Sequence, residues 1–488
     1  MEVDGWEAAR LIPVSGIKGS DEQERRGASA LLAVFESVHE FNRAVLGPLG
    51  ALGGKIECFI EVPFDLAGRQ VRPDGVIRTT RGKQTWTALV EVKTDRNDLV
   101  ASQLEDYLDV AREHDYQAVI TISNQIATVV GEHPCNVDKK KLKKVQLHHL
   151  SWSQIHTEAV IERVNRSVAD PDQAWILAEL IRYLEHPRSG AVDFDDMGSS
   201  WVSVRDGATL GTLRPGDPNT LDVAGRFGQL IAFAGMRLSR KLGVEVRPAL
   251  SRVQLSDGVK RVQNAAADLV ERGVLQGSLR VPNAISPIET VVDLRSGRVT
   301  CAVTVDAPSE GRSTTRINWL LRQLGNAPPG LLIEAFPLRA RSGICKPLSE
   351  VIDAPQVLFD DPKREIKTFS LRLSAPIGTK RGQGAGSFVG SVLKLVDSFY
   401  IDIVQNLKPW SPPAPSVKKS TEVDKSPGED EIQGELPVRL QRGERLSTAR
   451  PIDGASASGS DDQRAPMEAV GATQETDVWE PVVFAPED

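Results

Sequence analysis

The strongest constraint in this 488-residue chain is a short apolar run that carries two charges. Thr85 to Lys93 ends in Ala88-Leu89-Val90-Glu91-Val92-Lys93, which is apolar enough to be a central strand buried on both faces. Glu91 and Lys93 stand two positions apart, so on a strand they project from the same face. Charges placed beside Leu89 in this way are costly to bury unless they are paired or bind a metal.

The flanking sequence supplies the layers such a strand needs. A helix is expected from about Asp21 to Leu46, with Ala28, Leu31, Phe35 and Val38 at helical spacing and Gly47-Pro48 as its stop. Lys55 to Phe64 alternates as a strand, with Ile56, Cys58, Ile60 and Val62 on one face. Val71 to Thr79 and Thr85 to Lys93 flank a turn at Arg81-Gly82. Asn97 or Asp98 then caps a helix running to about Glu113. Gln117 to Ser123 reads as a buried strand and Val145 to Leu150 as another. Ser151 and Gln154 form a capping box for a helix through Arg166, and Asp170-Pro171 opens one more to about His186. Helix, three strands, helix and strand make an α/β sandwich.

Beyond Arg188-Ser189-Gly190 the pattern becomes irregular. Trp201 to Val204 is strand-like, helices are expected over Thr220 to Leu242 and Asp257 to Glu271, and a hairpin surrounds Arg295-Ser296-Gly297-Arg298. Two more helices fall near Arg316 to Leu324 and Ser387 to Asn406. The chain divides accordingly into an irregular lead-in (1–20), an α/β domain (21–188), a separate α+β domain without a catalytic motif (189–410), and a tail (411–488). That tail is rich in Pro, Ser, Gly and acid and is expected to be disordered. Its tip, Val478-Trp479-Glu480-Pro481-Val482-Val483-Phe484, reads either as an unconstrained terminus or as a short motif for a protein partner.

Composition narrows the setting. No run of eighteen apolar residues is present, so no transmembrane helix is expected. The acidic start MEVDGWEAAR lacks a signal pattern. Cys58, Cys135, Cys301 and Cys345 are scattered, as in a reduced cytoplasmic protein with buried thiols. The net charge of −7 is concentrated in the tail, where Ser411 to Asp488 hold eight basic and sixteen acidic residues. The remainder is close to neutral, which permits a polyanionic partner without arguing for one.

Four features lie in order within the α/β domain: Pro73-Asp74, Glu91-Val92-Lys93, Gln103 and Tyr107. Asp74 falls on the strand next to that of Glu91, and two carboxylates at close range repel unless a divalent cation joins them. Mg²⁺ suits such a pair, since it takes a few carboxylate oxygens and keeps water or phosphate oxygens. Lys93 would stand close to a scissile phosphate, to orient or deprotonate the nucleophile or to offset developing charge. On the following helix the inward stripe is Leu99, Leu104, Leu108 and Ala111. Gln103 lies on that side, four residues after Leu99 and four before Tyr107, so its amide needs partners.

The strings VRPDGVIR, ALVEVKTDRNDL and QLEDYL together resemble the PD-(D/E)XK nuclease superfamily, over roughly Asp21 to Arg166. The resemblance implies a restriction-endonuclease-like α-β-β-β-α-β core with Asp74 and Glu91 as metal ligands, Lys93 as the catalytic lysine and Gln103 as the glutamine of the next helix. It also implies a glutamate on the first helix. Glu22, Glu24, Glu36 and Glu40 are available, and Glu24 lies on the Ala28–Leu31–Phe35 stripe; Glu61 on the first strand is a further contributor to consider. The implied activity is Mg²⁺-dependent phosphodiester hydrolysis, with Mn²⁺ as a substitute. DNA is the expected partner, in repair, defence or stress response, and a homodimer is an option. The alternative is a catalytically silent scaffold on the same fold, serving as an adaptor. The combination of domains also looks like actinobacterial proteins labelled as stress-response proteins, a label that implies little mechanism.

Lys139, Lys140, Lys141, Lys143 and Lys144 form a basic cluster that reads as a phosphate contact or as a solvated loop. His133-Pro134-Cys135 and His148-His149 lack the second cysteine and the convergent spacing of a zinc site. Thr379 to Ser387 is Gly-rich and basic but lacks the Gly-Lys-Ser/Thr ending of a phosphate loop, so it reads as a flexible connection.

Overall fold

The computed structural model describes residues 6–8, 11, 20–129 and 131–412. The expectations for most of the lead-in and for the tail from Pro413 onward, with its Trp479 tip, lie outside the described residues. In chain order the first part contains β1 (Glu7–Ala8), α1 (Ser20–Ser37), α2 (His39–Leu46), β2 (Lys55–Ile60), β3 (Phe64–Leu66), β4 (Arg69–Val71), β5 (Gly75–Arg81), β6 (Gln84–Val92), α3 (Ala101–Glu113), β7 (Ala118–Ser123), β8 (Gln146–Ser151), α4 (Trp152–Val160) and α5 (Pro171–Glu185). The second part contains α6 (Trp201–Leu210), α7 (Pro218–Leu242), β9 (Arg247–Pro248), α8 (Arg252–Ser256), α9 (Gly258–Arg272), β10 (Val274–Arg280), β11 (Ile288–Asp293), β12 (Arg298–Asp306), α10 (Ser313–Leu321), β13 (Leu332–Pro337), β14 (Ile344–Pro347), α11 (Leu348–Asp353), β15 (Ile366–Pro376) and α12 (Phe388–Asp402).

The first layer is a six-stranded sheet in the order β1-β2-β5-β6-β7-β8. Strands β1, β2, β5 and β6 pair antiparallel, while β6, β7 and β8 pair parallel. Every residue of β6 from Trp86 to Val92 is buried, as a strand covered on both faces must be. Ala88, Val90 and Val92 share a core with Leu31, Phe35 and Trp152 of α1 and α4. Leu89 packs the other way, with Leu104, Tyr107 and Leu108 of α3. The pleat carries Glu91 to the same side as Leu89.

The expected succession of helix, three strands, helix and strand is present; the expected strand Val71 to Thr79 is broken at Arg72–Asp74 between β4 and β5, and three further differences follow. The first helix bends at Val38, whose backbone is extended (φ −114°, ψ 101°). There the Phe35 carbonyl accepts from Asn42 Nδ2 at 2.8 Å, and the Phe35 and Phe41 rings stack at 5.3 Å, so the bend is bonded and packed. The first strand stops at Ile60 because Glu61 takes a positive φ of 47°. Val62 thereby leaves the face of Ile56 and Cys58 and joins the α3 side with Phe64 and Val71, in the small β3–β4 hairpin. Third, α3 begins at Ala101 with Val100 as an N-cap that has no side-chain bond, so neither Asn97 nor Asp98 caps it.

The second layer is a seven-stranded antiparallel sheet in the order β14-β13-β15-β12-β11-β10-β9. The helices expected in this part correspond to α7, α9, α10 and α12, and the hairpin at Arg295–Arg298 joins β11 to β12. Trp201 to Val204 is helical rather than extended. Trp201, Val204 and Ala208 are buried at spacings of three and four, a pattern too long for a four-residue reading to reveal. The two layers belong to one compact unit. Arg240 of α7 donates to Thr157 Oγ1 (2.9 Å) and to the Ser153 carbonyl (3.2 Å) on α4, and Ile126, just after β7, is buried in the second layer's core.

Candidate active site

The site is assembled by strand register. Gly75 pairs with Val90 in the antiparallel β5–β6 ladder, which sets Asp74 opposite Glu91 at the strand ends. At Gly75 a Cβ would meet the end of the Leu32 side chain of α1, which would have to shift. Asp74 Oδ2 accepts from the Val92 amide at 2.7 Å. Glu91 is only 1% exposed. Lys93 Nζ stands 2.6 Å from Glu91 Oε1, yet neither carboxylate oxygen of Glu91 accepts a hydrogen bond of good geometry.

Helix α1 completes the cluster through Glu24. Its Oε2 lies 3.4 Å from Lys93 Nζ, and its Oε1 accepts from Asn97 Nδ2 (2.7 Å) and the Thr94 amide (3.3 Å). The other glutamates considered are engaged elsewhere. Glu22 pairs with Arg26, Glu36 accepts from the Cys58 amide, Glu40 accepts from the Ala169 amide, and Glu61 binds Arg25 and Arg72. Gln103 reaches the site at one remove: its Nε2 donates to the Tyr107 hydroxyl at 2.8 Å, and that hydroxyl donates to the Arg72 carbonyl at 3.3 Å.

The electrostatics follow from burial and crowding. Burial, and then the charge of Glu91, push the Asp74 carboxyl well above the usual carboxylate range, against the Val92 hydrogen bond and the Lys93 charge. For Lys93, burial works against the ammonium. The carboxylates of Glu91, Asp74 and Glu24 outweigh it and hold the group above the ordinary lysine value. Burial and the Glu91 charge likewise raise the Tyr107 hydroxyl. Asp74, partly buried, and Glu91, fully buried, therefore form an acidic pair with one cation, Lys93, against it. Two carboxylates that share one cation and are short of well-placed donors suit a divalent cation. Among the described residues no group of three or more His, Cys, Asp or Glu side chains converges. A Mg²⁺ ion held by these two carboxylates would keep its other positions for water and phosphate.

The loop after Lys93 is held by residues that spacing along the sequence does not single out. Asn124 Nδ2 donates to the carbonyls of Asp95 (2.9 Å) and Gly190 (2.7 Å), and Gln125 Nε2 donates to Asp98 Oδ1 (3.1 Å). These residues follow β7, the parallel neighbour of β6, so the register β6–β7 was the available signal. Within the basic cluster, Lys141 is tied to α3, with Nζ 2.6 Å from Asp109 Oδ2 and 3.3 Å from the Glu105 carbonyl. Lys139, Lys140, Lys143 and Lys144 are exposed. His133 and His149 meet across Thr121, whose hydroxyl lies 2.8 Å from His133 Nε2 and 2.9 Å from His149 Nδ1, and His149 Nε2 donates to the Gln125 carbonyl at 2.8 Å. The Gly-rich stretch is a bonded loop rather than a loose connection. The Lys380 amide donates to Gly386, Gln383 Nε2 donates to Asp195 Oδ2 at 2.7 Å, and Arg381 pairs with Asp196 at 3.2 Å.

Comparison of the chain with protein-family models, with curated proteins and with solved structures finds no match in any of the three.

Proposed function

We propose that this chain is a divalent-metal-dependent nuclease of the restriction-endonuclease-like kind, acting on DNA. The observation that carries the reading is the Glu91 carboxylate. It is buried, its oxygens accept no hydrogen bond of good geometry although Lys93 Nζ stands 2.6 Å away, and strand register sets it opposite Asp74. A fold that pays the desolvation of such a group without satisfying it retains it for a ligand.

Asp74 and Glu91 would hold Mg²⁺ or Mn²⁺, and the ion, when bound, supplies positive charge against the phosphate and acidifies nearby water. Without metal the surrounding carboxylates favour the ammonium form of Lys93, and that ammonium would offset charge on the phosphoryl oxygens. Glu24 positions that ammonium from α1 and, through Asn97 and the Thr94 amide, fixes the loop that follows it. Tyr107 and Gln103 brace the Arg72–Asp74 segment from α3.

The test compares wild type with Lys93→Ala on plasmid, linear, single-stranded and branched DNA and on RNA, with Mg²⁺ and with Mn²⁺. Metal-dependent cutting of DNA by wild type, lost in the variant, is the expected result. No cutting of any substrate would overturn the reading and leave the silent scaffold.

A further inference from the structure

Two arginines share one carboxylate beside the site. Arg25, next in the chain after Glu24, binds Glu61 through both Nε and a terminal nitrogen, which occupies both carboxylate oxygens. Arg72 meets the same Glu61 only at 3.4 Å, and its side chain is 61% exposed. Glu61 is already neutralised by Arg25, so the Arg72 guanidinium is a spare cation whose five donors are largely unspent. Its backbone, by contrast, is fixed. The Arg72 carbonyl accepts from Tyr107, Pro73 follows, and Asp74 is anchored to Val92. Three residues earlier on β4, Arg69 is 60% exposed and pairs with Asp106 of α3 at 2.6 Å.

Spacing gives these cations a ligand. Two residues of extended chain span at most about 7 Å and three span about 10 Å. As upper bounds, those lengths keep both cations within reach of a strand whose scissile phosphate lies at Asp74 and Glu91. Guanidinium is also the group best shaped to meet phosphate oxygens.

We propose that Arg72, followed by Arg69, forms a track for the backbone phosphates of a nucleic-acid strand running from the carboxylate site along the β3–β4 hairpin. The inference rests on the nuclease reading of that site and adds that the substrate is a polymer extending past the cut on the hairpin side.

The test is binding of labelled 20-nucleotide DNA and RNA oligomers to the full chain without divalent metal, followed by fluorescence anisotropy over a range of salt. Arg72→Ala is expected to weaken binding about five- to tenfold and to lower the salt slope by about one. Arg72→Lys should keep the slope, and Arg69→Ala should act in the same direction more weakly. Thermal melting should not move, because both side chains are exposed. If wild type binds and Arg72→Ala matches it in affinity and slope, the track is wrong while the nuclease reading stands. If wild type neither binds nor cuts nucleic acid, both fall together. A trinucleotide substrate cut as efficiently as the 20-mer would also overturn the track.

Discussion

Glu91 in the first layer and Arg316 in the second are buried to a similar degree, 1% and 4% exposed, and their surroundings are opposite. Arg316 donates to the carbonyls of Gly311 (3.0 Å), Ile366 (2.7 Å) and Ser309 (3.1 Å), and Glu365 lies 3.7 Å away. Its donors are spent inside the fold, and it ties α10 to the start of β15. Glu91 has a cation 2.6 Å away that it shares with Glu24, and no hydrogen bond of good geometry to either oxygen. Burial alone does not mark a functional charge. What separates the two is whether the fold has already supplied the partners.

The largest expected contrast is in catalysis. Glu91→Gln and Lys93→Ala should each lower cleavage by about 10²- to 10³-fold, while Arg316→Met leaves the rate per folded molecule near wild type, as steady-state assays on purified protein would show. Stability should reverse the order. Arg316→Met strands three carbonyls and should cost about 3 kcal/mol by urea unfolding, whereas Glu91→Gln costs little. Equal losses from both variants would erase the distinction.

Within the first layer, His149 gives a satisfied buried group to set against Glu91. Burial pushes its imidazole down to about 4 while the Gln125 carbonyl holds its Nε2–H. A folded pKa below the unfolded value near 6.5 means its stabilisation is full above that value and is lost as pH falls toward 4. The loss amounts to roughly 3 kcal/mol at about 1.4 kcal/mol per unit. Unfolding midpoints across that window should show it, and His149→Asn should flatten the curve.

Asp74 should show a pH dependence of the opposite sign. Its folded pKa is raised, so its contribution is full below the ordinary carboxylate value and is lost as pH rises through the raised one. Asp74→Asn should remove that slope in metal-free protein, and saturating Mn²⁺ should offset it in wild type by about 1–2 kcal/mol.

Much of this arrangement is legible in the sequence because strand period and register are local rules. Asp74 stands just before β5, Glu91 on β6 and Lys93 just after it, and the tight turn at Arg81-Gly82 that joins the two strands sets which residues face each other. Among the glutamates of the first helix, helical spacing selects Glu24, but not its partners. The rest depends on long-range closure. The bend at Val38, the departure of Val62 from its face at Glu61, and the use of Asn97 and Asp98 as loop braces rather than caps are each decided by partners on other elements. Asn42, Phe64, Glu24 and Gln125 are those partners, and nothing in local periodicity names them. Gln103 shows the same limit: its side of the helix is readable, but its partner, Tyr107 rather than the carboxylates, is not.

The most direct test of the account is the melting temperature of metal-free full-length protein titrated with Mn²⁺, for wild type and Glu91→Gln. The account predicts that Glu91→Gln melts no lower than wild type without metal, and that only wild type rises as Mn²⁺ is added. A variant that melts far below wild type and still responds to Mn²⁺ would mean that Glu91 is a structural charge like Arg316, and would contradict the claim that its carboxylate is held for a cation.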